Sequence, residues 1–229
     1  KHMNIGQEFQ SYYTKHLGKP SLDLHNFNNH IQNSMTTYIL EEREMRVTQM
    51  DIFSRLMRDR LLWVAGPVDD RMSTVVQAQL MFLDSSDKTD ITMHIDSPGG
   101  SVKSGLSMVD VMEYISADIR TVNTGMAASM GSVLLGAGTK GKRSSLRFSR
   151  VMLHQSSGGF SGNIQDAKID MQEWEECNKI LFNLLGGYCS KKPEQVMKDA
   201  TRDFWLNADA AVKYGIIDEV VVKKDVKKK

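Results

Sequence analysis

Short apolar runs alternate with segments of helical periodicity from about residue 51 onward, and this alternation limits what the chain can fold into more than any other feature. Ile52, Phe53, Leu56 and Met57 fall at helical spacing, and Leu61-Leu62-Trp63-Val64-Ala65 follows as a short apolar run closed by Gly66-Pro67. The pair reads as a helix and then a buried strand. Met72, Val75, Val76, Leu80 and Leu83 mark one face of a second helix. A strand is expected from Ile91 to Ile95, ended by Ser97-Pro98-Gly99-Gly100. Leu106, Val109 and Met112, with Val102, mark the next helix, and Ile119 to Val122 the next strand. Such repeated β/α units define an α/β fold.

The second half continues the pattern. Met130 to Leu135 reads as a buried helix, and Val151-Met152-Leu153 as a short strand ending at His154. After the loose stretch from Ser156 to Gly162, Asn163 or Gly162 can cap a long helix. Its apolar residues Ile164, Ala167, Met171, Trp174, Leu181, Leu185 and Tyr188 recur at about 3.5 residues, the spacing of a helix packed along another helix. Asn178 interrupts that seam, and Gly186-Gly187 is expected to weaken its end. A short helix from Pro193 to about Lys198, a second from Ala208 to Tyr214 stopped by Gly215, and a last strand from Ile216 to Val222 complete the chain.

Residues 1–50 are polar, rich in Asn, Gln, His and Thr, and are expected to form a flexible or partly ordered extension, with Met35 to Leu40 as its ordered-looking piece. Lys1-His2-Met3 read as a scar before a start at Met3. Residues 51–222 form the expected folded domain and 223–229 a basic tail, read as a solvated end. A formal net charge of +1 in 229 residues implies no polyanionic partner, so no nucleic acid is expected. Two cysteines, Cys177 and Cys189, make neither a disulfide framework nor a metal pattern. With no long apolar run and no secretory pattern at the start, a soluble, cytoplasmic protein without membrane contact is expected.

The chemistry centres on Gly125-Met126-Ala127-Ala128-Ser129-Met130-Gly131, a hydroxyl among small residues that let the backbone turn and leave the oxygen accessible. The spacing and the order Ser, His, Asp differ from the α/β-hydrolase elbow, so a hydrolase here uses another scaffold. Neutral imidazole, with an ordinary pKa of about 6.5, suits the base, and His154 is the candidate. Asp203, in Thr201-Arg202-Asp203-Phe204, is the candidate to orient it, a loop carboxylate that Phe204-Trp205 can partly bury. Gly100, in a turn after a strand, and Met130, first in its helix, can present backbone amides to an oxyanion. Each piece has a plainer reading. The serine segment can be a tightly packed strand–helix junction, His154 a structural histidine, Pro98-Gly99-Gly100 a turn, and Asp203 a cap or surface acid.

Taken together and in order, Ser97-Pro98-Gly99-Gly100-Ser101-Val102, Gly125 to Gly131, Arg150-Val151-Met152-Leu153-His154-Gln155 and Arg202-Asp203-Phe204 resemble the proteolytic subunits of the Clp protease family. The resemblance runs from about Phe53 to Asp218 and includes Gly141-Lys142-Arg143 and Ala211-Val212-Lys213-Tyr214-Gly215. It implies a crotonase-like α/β fold with a protruding handle helix, which is the helix from Ile164 to Tyr188. It also implies a serine endopeptidase with Ser129 as nucleophile, His154 as base and acid, Asp203 orienting the imidazole, and Gly100 and Met130 as oxyanion donors. Gly99, Val102, Ser156 and Ser157 would contact a peptide laid as an added strand near Gly100 to Lys103 and near Ser156 to Phe160. The implied assembly is two stacked seven-membered rings around a chamber, fed with unfolded polypeptide by a hexameric Clp ATPase, with neither metal nor organic cofactor.

Several positions depart from that pattern. The segment before Asp51 is longer than the usual axial segment. Thr201 stands where an acid commonly precedes Arg-Asp, so Arg202 would need another partner. Ser156 replaces a usual proline after His-Gln, and Thr92 and His94 replace aromatic residues of the groove where ATPase loops dock. These departures motivate one rival, a catalytically silent subunit of a mixed ring. The shared paired-amide site motivates another, an acyl-CoA enzyme of the crotonase fold.

Overall fold

Leu62 and Val64 are buried while Trp63 between them is 44 % exposed, the alternation of a strand with one face on a core. In the computed structural model, which describes residues 38–43, 46–156 and 163–222, that strand is β3 (Leu61–Ala65). The chain divides into two compact units, residues 1–55 and 56–229. In the first, β1 (Tyr38–Arg43) and β2 (Arg46–Asp51) pair as an antiparallel hairpin, Tyr38 opposite Asp51. Helix α1 (Ile52–Arg58) follows, its first amides received by the Asp51 carboxylate at 3.0 Å from both Phe53 and Ser54. The ordered-looking piece expected at Met35 to Leu40 overlaps β1 at its far end.

In the second unit β3 lies parallel to β4 (Ile91–Ser97), and β4 parallel to β5 (Ile119–Ala128). Helices α2 (Asp70–Ser86) and α3 (Val102–Tyr114) connect them. Parallel neighbours require such crossovers. Asp69 caps α2 by accepting the Met72 amide at 2.8 Å, and Ser101 caps α3. β5 is long enough to serve two partners. Its first half pairs with β6 (Arg143–Leu146) and its last residues pair with β7 (Arg150–Leu153), both parallel. β8 (Phe204–Asn207) adds to β7 in the antiparallel sense, and β9 (Glu219–Val221) pairs with β6.

The core is Val64, Leu80, Ile91, Met93, Ile95, Met108, Leu134, Leu135, Val151 and Leu153, each fully buried. Full burial of side chains of this size stabilises by about 1.5–3 kcal/mol apiece against an exposed reference. Helix α4 (Met130–Gly136), expected to be buried, is buried at every residue. The long helix is α5 (Ile164–Cys189), capped by Asn163, whose side chain accepts the Gln165 and Asp166 amides at 2.9 and 3.0 Å. Only its second half, at Leu181, Phe182, Leu185, Gly186 and Cys189, enters the core. Ile164, Ile169 and Met171 on its first half are exposed.

Gly186-Gly187 lie in the last turn of α5, and a side chain at Gly186 would meet Pro193 and Lys191 at 3.0–3.2 Å. Helices α6 (Pro193–Asp199) and α7 (Ala208–Tyr214) fall where expected, α7 ending at Gly215 with φ +97°. The last strand is shorter than expected. Ile216 and Ile217 are buried before it begins, because Asp218 turns back to Arg143.

Candidate active site

Gly100, Ser129, Met130, His154 and Asp203 lie at one end of the sheet, beyond the carboxyl ends of β4, β5 and β7, where open parallel sheets place their sites. Ser129 is the junction between β5 and α4. It holds φ +53° and ψ −125°, a conformation a side-chain-bearing residue rarely adopts and one that costs about 1–3 kcal/mol. Its amide donates to Met152 O at 2.9 Å, and its carbonyl takes the Ser132 hydroxyl at 2.6 Å. The pairing of Ala128 with Met152 thus continues one residue further and holds the serine beside β7, which ends just before His154.

Small residues around Ser129 serve close packing as well as access. A side chain at Gly99, whose φ is +90°, would stand 2.6 Å from Ser129 Cβ, 2.7 Å from Ala128 O and 2.8 Å from Met130 N. The segment is a tight junction, and the serine at its apex lines a pocket. The turn is shaped by a register shift between Ile95 and Ser97, where β5 carries extra residues around Gly125. Asp96 takes up that slack by accepting the Met126 amide at 2.9 Å.

Gly100 is bridged to Val68. The Val68 amide donates to Gly99 O at 2.9 Å and the Ser101 amide to Val68 O at 2.8 Å. In a parallel bridge of this kind the central residue's own N–H points away from its partner, so the Gly100 amide is turned outward. Met130 is the first residue of α4, where an amide has no acceptor within its own helix. Helix α3 begins at Val102, as the helical spacing of Val102 with Leu106 and Val109 suggests, so of the stretch Gly100 to Lys103, near which an added peptide strand is expected, only Gly100 and Ser101 keep non-helical backbone.

β8 places Asp203 by register. Leu153 lies opposite Phe204, so the next residues outward, His154 and Asp203, meet across the antiparallel pair. His154 Nδ1 is 3.3 Å from Asp203 Oδ1, with the imidazole about one-quarter exposed. Asp203 is not the partly buried acid suggested by Phe204-Trp205: its side chain is 64 % exposed and Trp205 is itself half open. Ser129, Met130, Val102, His154 and Ser156 line one pocket, floored by Leu181, Phe182 and Leu185 of α5. Ser157 lies outside the described residues, as does the stretch to Phe160.

Thr201 does not turn toward Arg202. Its hydroxyl donates to Lys198 O at 2.9 Å and Met197 O at 3.2 Å and closes α6. His94 stacks on Trp63 with ring centres 4.7 Å apart, so an aromatic surface persists on β3 beside the substituted β4 positions. Burial pushes the His94 imidazole below its ordinary pKa. Cys189, buried at the end of α5, is pushed up to about 11 by burial and is chemically quiet. Among the described residues no three His, Cys, Asp or Glu side chains gather as a metal site, and no helix is long and apolar enough to cross a membrane.

An α/β protein with a strained serine beneath a glycine turn and an adjoining His–Asp pair is the class this arrangement defines. The profile of the Clp protease family matches residues 42–224, and the chain belongs to that family, with its crotonase-like fold. It is 46 % identical over 218 residues to the ATP-dependent Clp protease proteolytic subunit of Bacteroides fragilis strain YCH46, covering 95 % of this chain and 99 % of that protein. The protein of the same name from Porphyromonas gingivalis strain W83 is 45 % identical, over 94 % of this chain and 98 % of the relative. Trp63 was the residue the sequence reading overlooked in connection with His94. Its signal was present, an aromatic on an outward strand position opposite His94 once the strands are paired.

Proposed function

We propose that the chain is a serine endopeptidase in which Ser129, His154 and Asp203 form the catalytic set, within a peptidase domain of residues 51–222. The observation that carries this reading is His154, which contacts Asp203 through Nδ1 while lining the pocket that Ser129 enters. Ser129 Oγ attacks the scissile carbonyl as His154 accepts its proton. The negative oxygen of the tetrahedral intermediate is received by the outward amides of Gly100 and Met130, a preorganised pair worth about 3 kcal/mol per donor. His154 then gives its proton to the leaving amine, and water repeats the sequence on the acyl-enzyme. Asp203 holds the imidazole in the tautomer that leaves its other nitrogen free to act.

The relatives' name supports a particle assembled from copies of this chain and joined to an ATP-driven Clp unfoldase that supplies unfolded polypeptide. Two stacked seven-membered rings, with the exposed half of α5 as the contact between them, and a cytoplasmic setting belong to the same proposal. A fluorophosphonate reagent is expected to modify Ser129 alone, read by peptide mapping. Labelling elsewhere, or none in the assembled particle, sinks the proposal in favour of a silent subunit. Acyl-CoA turnover that persists in Ser129→Ala would favour the other rival.

Gly99→Ala tests the packing over the serine. The added methyl has backbone on two sides and a φ of +90° to tolerate, so the turn must move against Ser129. Peptide turnover is expected to fall by about 10- to 100-fold through misplacement of the nucleophile and its donors. Unchanged turnover would show that this contact does not set the geometry.

A further inference from the structure

Three side chains outside the catalytic set converge on the segment after His154. Ser156 Oγ donates to Asn178 Oδ1 at 2.9 Å, the Ser156 amide reaches the same oxygen at 3.3 Å, and the indole N–H of Trp174 donates to Ser156 Oγ. Trp174 and Asn178 are one turn apart on α5 and so share a face. The first half of this helix is otherwise largely exposed, yet Trp174 and Asn178 are half-buried where they meet Ser156. On the other side Gln155 donates its amide to Ala200 O at 3.1 Å and its side chain to Thr201 O at 3.4 Å, the turn that leads to Asp203.

His154 therefore begins a segment clamped from two directions. A hydroxyl carries one proton and two lone pairs, and Ser156 commits the proton to Asn178 and a lone pair to Trp174, which fixes its rotor. A proline at this position, usual in the family the sequence resembles, restrains φ through its ring. A serine brings no such restraint by itself.

We propose that Ser156, held by Trp174 and Asn178 of α5, is a positioning residue that fixes the His154 segment for proton transfer. The inference rests on the serine-peptidase reading above. It makes the long helix a support for the imidazole, through a contact 18 residues away in sequence between Trp174 and Ser156.

Ser156→Ala removes the hydroxyl, Ser156→Thr keeps it, and Trp174→Phe keeps an aromatic ring while removing the donor. Trp174 lies outside the residues that line the Ser129 pocket, and the split between kcat and KM separates a positioning effect from a substrate contact. In steady-state hydrolysis of a short fluorogenic peptide, Ser156→Ala and Trp174→Phe are each expected to lower kcat by about three- to tenfold with KM unchanged, because a small misplacement of a base is felt in the chemical step. Ser156→Thr should recover most of the loss. The double variant should be little slower than the slower single variant, the non-additivity of residues acting through one contact.

Unchanged kcat in both single variants overturns the proposal, as do additive losses. A raised KM at constant kcat makes Ser156 a substrate contact instead, and loss of activity that tracks loss of the assembled particle on sedimentation makes the cluster an assembly element. Fluorophosphonate labelling of Ser129 in the parent keeps the two readings apart: if it fails, the peptidase reading fails, whereas labelled Ser129 with indifferent Ser156 and Trp174 variants overturns this inference alone.

Discussion

Ser129→Ala is expected to reduce peptide hydrolysis by at least about 10³-fold, the scale on which removal of a serine nucleophile acts. The substitution removes one oxygen at a place where the backbone already holds φ +53°. Alanine bears the same Cβ as serine and meets the same backbone strain, so the fold has no reason to change. The Ser129 amide keeps its bond to Met152 O, and its carbonyl remains available to Ser132. Thermal unfolding and sedimentation should therefore match the parent while turnover is lost. On the proposed reading, what activity survives would come from the Gly100 and Met130 amides, which would still favour a tetrahedral oxyanion when water attacks. His154→Ala should cost a similar factor, and the double variant little more, because the two act as one unit. Parent-level hydrolysis in Ser129→Ala would remove the serine from the reaction.

The strands and helices with apolar periodicity were legible from residues alone. β3, β4, α2 and α4 fall where Leu62, Ile91, Leu80 and Leu134 placed them. The hairpin β1–β2 lies in a stretch that read as an extension, and in the second unit β6 and β8 were not legible, for different reasons. β6 is Arg-Ser-Ser-Leu, with no apolar alternation to read; its buried polar groups are satisfied by contacts such as Ser144 Oγ to Thr121 O at 3.3 Å. β8 is a strand by virtue of pairing with β7, which a short run beside an acid does not announce. That pairing is what brings Asp203 to His154, so the third member of the site depended on the least readable element. The sequence order of Ser129, His154 and Asp203 pointed to candidates, whereas the 3.3 Å contact needed the register of Leu153 with Phe204. Ser156 shows the converse. It read as a departure from a pattern, and its partners on α5 became visible only in three dimensions.

The largest stability loss is expected at Asp218→Asn. Arg143 has a side chain only 3 % exposed, and its charge is met by Asp218, with Nη2 to Oδ1 at 2.6 Å and Nε to Oδ2 at 2.9 Å. Oδ2 also accepts the Arg143 amide at 3.0 Å and the Gly141 amide at 2.7 Å. An asparagine has one acceptor oxygen and presents donors from its nitrogen, so it cannot receive this set, and some of these donors would face its N–H groups. The guanidinium would keep Tyr188 O and Gly215 O at 3.0 and 3.1 Å but lose its counter-charge. Leaving a buried arginine so unpaired costs about 3 kcal/mol or more. For a chain of this size that lowers Tm by roughly 6–12 °C. The dependence on pH has a definite sign. Burial alone would raise the Asp218 carboxyl, but the Arg143 guanidinium and the two amides outweigh it and hold it below the ordinary carboxylate value. A carboxyl depressed in the folded state stabilises above its unfolded pKa, about 3.9, and loses that contribution as pH falls through the lower folded value. The difference between parent and Asp218→Asn should thus be full at pH 7 and shrink once the pH drops below about 4. A difference that persists undiminished well below about pH 4 would assign the loss to packing at Ile216-Ile217 rather than to the ion pair.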